Sequence, residues 1–104
     1  MGEMQEYTTL FFDSVKEMLA SMSEIDRAKV AVALSAMREG NFQVAETKLL
    51  KTPIRELKIK KYRFIFFIRG QFIYFLHAFI KQSSKTPKRE IDYAERLYKK
   101  VIED

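Results

Sequence analysis

Residues 54–90 read IRELKIKKYRFIFFIRGQFIYFLHAFIKQSSKTPKRE, and this stretch decides the fold. It holds the densest aromatic and β-branched run of the chain and most of its positive charge. Ile54–Ile59 alternates around Leu57 and Ile59, with Lys58 and Lys60 on the other face. Lys60–Lys61 reads as a tight turn. Tyr62–Ile68 carries bulky side chains on both faces, as a central strand covered on both sides does. Arg69–Gly70 supplies the next turn, with Gly70 taking a positive φ, and Gln71–Ile80 returns. The result is an antiparallel meander. Ten Lys and Arg side chains lie between Arg55 and Arg89 against one acid, Glu56. A sheet with a basic surface and a polyanionic ligand is therefore expected.

The flanking segments read as its support. Glu6–Phe12 (EYTTLFF) is rich in β-formers and suits an added edge strand. Asp13 or Ser14 then caps a helix whose Val15, Met18, Leu19 and Met22 share one face. Ser21 with Glu24 fits a capping box for a second helix. Ile25, Val30, Ala33, Leu34 and Met37 give that helix an apolar side, and Gly40–Asn41 end it. Ser14–Ser21 and Ser23–Glu39 thus form a helical hairpin whose apolar faces need the sheet. Asn41–Pro53 has no clear period, and a short helical turn around Val44–Leu49 is the reading there. Pro53 makes Thr52 extended. After the polar loop Lys81–Lys85, Thr86 as N-cap and Pro87 at the first position start a last helix. Ile91, Ala94, Leu97, Tyr98 and Val101 line one side of it. The predicted order is βααβββα: an α+β fold, with a helical hairpin on a small antiparallel sheet and a C-terminal helix, in one domain spanning residues 1–104.

Composition narrows the function classes. The chain has 104 residues and no cysteine, so disulfides and thiolate metal sites are excluded; a single His makes a His-based metal cluster unexpected too. Neither metal nor cofactor is expected. The longest apolar run, Phe64–Ile80, is interrupted by Arg69, Gly70, Gln71 and His77, short of the roughly 18–20 residues a bilayer span requires. A cytoplasmic location without membrane association is the expectation. Net charge is +5, and it is uneven: residues 1–52 carry six basic and eight acidic side chains, residues 53–104 thirteen and six. That asymmetry points to nucleic acid or another acidic partner.

The segments IRELKI and YRFIFF, the run His77-Ala-Phe79, and then Lys85-Thr-Pro-Lys-Arg-Glu-Ile91 with Ala94 resemble the HigB-like, phage-derived branch of the RelE/ParE toxin superfamily. The resemblance spans roughly residues 47–95. It implies a RelE-like fold and the toxin of a type II toxin–antitoxin pair, cutting mRNA in the ribosomal A site without a metal. A related ParE-like branch instead poisons DNA gyrase on a very similar scaffold. The implied partners are mRNA, the ribosome and a helix-turn-helix antitoxin bound in a hetero-oligomer. A third reading is a non-enzymatic phage protein or a decayed toxin that only binds nucleic acid or a partner.

Such cleavage uses the ribose 2′-OH to attack the adjacent phosphorus, so the protein must grip phosphate, offset charge and move protons. Arg63 matches the Arg of the family's Tyr-Arg strand and is the candidate phosphate clamp; its structural alternative is an ion pair with Glu56. Lys58 and Lys60 are candidates for phosphate binding or general base, provided Arg63 faces the same way, which the register decides. Arg89 and Tyr93 approximate an Arg and a Tyr of the RelE last helix at different spacing. The Asp–Tyr–His cluster of some HigB proteins lacks its His here. Arg55, Lys61, Lys85 and Lys88 are candidate RNA or phosphate contacts, the last two aided by free amides at a helix start. His77 reads as a hydrogen-bonded core histidine. Tyr62, Tyr74 and Tyr93 suit base stacking, although core or rim packing is commoner for such residues.

Overall fold

The computed structural model describes residues 6–103. Its elements are β1 (Thr8–Phe11), α1 (Asp13–Ser21), α2 (Glu24–Arg38), β2 (Thr47–Lys51), β3 (Ile54–Ile59), β4 (Tyr62–Arg69), β5 (Phe72–Ile80) and α3 (Lys88–Glu103). The five strands are ordered β1-β5-β4-β3-β2. Strands β2 to β5 pair antiparallel, and β1 runs parallel to β5. The sheet is therefore mixed rather than purely antiparallel, because the chain crosses from β1 through α1 and α2 before entering the meander.

The pleat of β3–β5 sorts side chains onto two faces. Leu57, Ile59, Tyr62, Phe64, Phe66 and Phe75 pack with Val15, Met22, Val30, Leu34 and Met37 of the helical hairpin. Ile54, Ile65, Phe67, Leu76 and Phe79 pack with Ala94, Leu97, Tyr98 and Val101 of α3. Two helical layers thus cover the sheet, which explains why β4 is bulky on both faces. On β5 the register shifts: Ile65 pairs with His77 but Phe66 pairs with Phe75, leaving Leu76 as the extra residue of a bulge. The bulge turns both Leu76 and His77 toward α3.

Four expectations change. Residues 47–51 form an edge strand, not part of a helical turn, making the order βααββββα. Thr-Lys-Leu-Leu-Lys has no strand alternation to read, since Leu49 is exposed while Leu50 packs on the α3 side; cross-strand pairing overrides the local helix formers. At the α1 start the extended N-cap is Phe12, without a side-chain cap. The cap of α2 is Ser23, which accepts from the Asp26 amide at 3.2 Å, whereas the Ser21 hydroxyl donates to the Met18 carbonyl. Finally, Pro87 occupies the cap position of α3, its carbonyl accepting from the Glu90 and Ile91 amides. The Thr86 hydroxyl is used elsewhere. The expected turns do form: Lys60 has φ 53° and Gly70 φ 61°.

Candidate nucleic-acid interface

On the α3 face the register lines up two rows of residues. Lys58 lies opposite Arg63, which lies opposite Phe79; two residues along, Glu56 lies opposite Ile65, and Ile65 opposite His77. Arg63 therefore does face the same way as Lys58. It is also buried, only 4% exposed, and its Nη1 donates to the carbonyls of Lys60 at 2.8 Å and Tyr62 at 2.9 Å. As placed, the guanidinium braces the β3–β4 turn rather than standing at the surface as a phosphate clamp. The alternative ion pair is absent too. Glu56, buried at 3% exposure, accepts from the Thr86 hydroxyl at 2.7 Å and pairs with Lys48 at 3.4 Å.

The other expected cations divide. Lys58 stays on the α3 face and pairs with Glu46 at 3.3 Å. Lys60 leaves the alternation at its left-handed turn and donates to Asp26 Oδ1 on α2 at 2.8 Å, so it cannot share a site with Lys58. The same carboxylate accepts from the Tyr62 hydroxyl at 2.9 Å. The Lys60 hydrogen bond first, and the Tyr62 one second, hold Asp26 below the usual carboxylate range, and the bond to Asp26 pushes the Tyr62 phenol up. Arg55 falls on the hairpin face by strand parity and reaches Thr47. Lys88 pairs with Asp92 at 2.8 Å, which raises its pKa and lowers that of Asp92.

Four cations of the basic stretch have no hydrogen-bond or ion-pair partner among the described residues: Lys61, Lys81, Lys85 and Arg89. Lys61, in the β3–β4 turn and lining one pocket with Asp26 and Lys60, and Lys81, directly after β5, mark one end of the sheet. The Lys81 amide donates to the Lys61 carbonyl at 2.8 Å, tying the β3–β4 turn to the end of β5. The loop that follows is braced by Ser83, which donates to the Lys85 carbonyl, and moored to β3 by Thr86 on Glu56. Arg89 belongs to the first turn of α3. Lys61 has Asp26 as a nearby counter-charge, whereas Lys81, Lys85 and Arg89 have no acid paired to them and make this part of the chain attractive to anions. Lys61, Lys85 and Arg89 were readable as candidates; Lys81 gained its place only through the turn it closes.

Beside this end lies a polar cluster that strand patterns do not reveal. His77 Nε2 is 3.1 Å from Glu90 Oε1, and its Nδ1 is 2.8 Å from Ser14 Oγ. A carboxylate only accepts, so in the neutral ring Nε2 carries the proton and Nδ1 accepts from the Ser14 hydroxyl. Ser14 Oγ in turn accepts from the Ala78 amide at 3.2 Å. The ring of Tyr93 is 4.5 Å from that of His77 and stays 38% exposed, with Arg96 over it at 5.7 Å. His77 is thus a hydrogen-bonded inner residue, as its sequence context implied. Of the three candidate tyrosines Tyr93 is the most exposed, with His77 and the Arg96 guanidinium against its ring. Tyr62 is buried on Asp26, and Tyr74 stacks on Phe67 at 4.9 Å.

The chain belongs to the phage-derived protein Gp49-like family (DUF891), whose model matches residues 17–99. The family is of the RelE/HigB-like toxin type, and a mixed five-stranded sheet with three helices is compatible with an α+β toxin fold. No curated protein matches the chain. Among the described residues, no helix is long and apolar enough to cross a membrane.

Proposed function

We propose that the protein is the toxin of a type II toxin–antitoxin pair and stops translation by cutting mRNA on the ribosome, without a metal. The observation that supports this best is the set of cations without an acid or hydrogen-bond partner, Lys61, Lys81, Lys85 and Arg89, carried on the β3–β4 turn, the end of β5, the following loop and the start of α3. A polyanion is drawn to such unpaired cations. In this reading Lys58 and Arg63 share one strand face. The partner is a helix-turn-helix antitoxin that occludes these groups.

Burial of Arg63 favours one second reading. A toxin that poisons DNA gyrase needs no cleavage residues and would use the same cations for docking. Incorporation of labelled methionine and labelled thymidine after induction separates the two. The nuclease reading expects methionine incorporation to stop within minutes while thymidine incorporation continues. The reverse order supports gyrase, and unimpaired growth removes both.

A further inference from the structure

A second surface lies between the helical hairpin and β1. It is a groove of about 240 Å³. Phe11, Leu19, Ala31 and Leu34 supply its apolar floor. Along α2 the groove-lining residues Arg27, Ala31, Leu34 and Arg38 follow helical spacing, so they form one stripe that is apolar in the middle and basic at both ends. The apolar residues of this stripe only partly serve the core: Ala31 is exposed.

Both arginines are held in place from one side. Arg27 donates from Nε to the Leu19 carbonyl at 3.1 Å and from Nη2 to the Met22 carbonyl at 2.9 Å. Arg38 donates from Nε and Nη2 to Thr9 Oγ1 at 3.2 and 3.0 Å. In each case Nη1 has no partner among the described residues. A guanidinium fixed by two nitrogens and open at the third has already lost much of its side-chain freedom, so a carboxylate gains its hydrogen bond at reduced entropic cost. The two anchors are eleven residues apart, which is about 16 Å along the helix axis.

We propose that this groove docks an acidic amphipathic helix from a partner protein. Its apolar stripe would lie on Phe11, Leu19, Ala31 and Leu34. Two carboxylates about three helical turns apart would meet Arg27 and Arg38. Charge complementarity selects this occupant. A basic or neutral helix would leave both guanidiniums facing unpaired groups, and a second copy of this chain brings further positive charge. None of the groove's lining residues is used in the nuclease reading, so the inference stands independently of it.

The test uses a synthetic helical peptide with a leucine stripe and two glutamates spaced eleven residues apart, and a twin with lysines at those two positions. Binding to the full chain is followed by fluorescence anisotropy, and amide shifts of ¹⁵N-labelled protein locate the contact. The expected result is at least tenfold tighter binding of the glutamate peptide, weakening with added salt, with shifts centred on Val30, Ala31 and Leu34. Ala31→Arg, at an exposed position that leaves the fold intact, should abolish binding while the circular dichroism spectrum is unchanged. Equal affinity for the two peptides, no binding of either, shifts centred elsewhere, or self-association of the free chain through this face would overturn the proposal.

Discussion

Truncating Arg63 removes two hydrogen bonds from a charged donor to the carbonyls of Lys60, part-buried, and Tyr62, buried. Arg63→Ala is therefore expected to cost about 3 kcal/mol of stability, read as a lower urea midpoint. Relief of growth arrest by that variant alone would not separate chemistry from folding. Arg63→Lys keeps the charge and a donor but not the fork. If Arg63 grips phosphate, Arg63→Lys should lose growth arrest while retaining most of its stability. Full toxicity of this variant would make the guanidinium purely structural. Asp26 gives a pH prediction with a definite sign. Its folded pKa is depressed below the ordinary 3.8, so its contribution is present above that value and is lost as pH falls through the lower folded value. Wild type should lose stability on acidification below pH 3.8 more steeply than Asp26→Asn, which lacks this proton uptake. Parallel acid profiles of the two proteins would contradict the assignment.

Elements show where sequence patterns carry information and where they stop. The meander, both turns and the two long helices were legible because alternation and helical spacing report buried faces directly. Strand β2 was not, since an edge strand with lysines at its second and last positions and one exposed leucine leaves no alternation. The α3 start was legible in place but not in detail: Thr86 sits where a cap is expected, yet its hydroxyl binds Glu56, a partner 30 positions away. His77 was legible as an inner residue. Its partners Ser14 and Glu90 were not, because only the bulge at Leu76 turns the ring toward α3. Ser14 joins α1 to β5 by accepting the Ala78 amide. Ser14→Ala should destabilise by about 1–2 kcal/mol, measurable by chemical denaturation. Ala94 is fully buried where α3 meets the sheet. Enlarging it in Ala94→Leu should cost about 1–3 kcal/mol through overpacking; a neutral result would show that α3 docks loosely.

Across the whole molecule, net charge was readable from the sequence but its availability was not. Lys48, Lys51, Lys58, Lys60 and Lys88 are held in ion pairs with acids distant in the sequence or one helical turn away. The remaining free cations of the basic stretch are Lys61, Lys81, Lys85 and Arg89. Binding to single-stranded RNA through four such cations should give a slope of log affinity against log salt of about −3. Lys81→Ala with Lys85→Ala should bring it to about −1.4, whereas Lys48→Ala should leave it unchanged. Equal effects of the two variants would mean that the whole surface binds, not these cations.

Primer extension on a defined mRNA, with and without translating ribosomes, tests the central claim most directly. The account predicts new ends only with ribosomes, at fixed positions within codons, and their loss in the Lys81→Ala, Lys85→Ala protein. Growth arrest with intact mRNA in both reactions would contradict it and turn attention to a gyrase supercoiling assay.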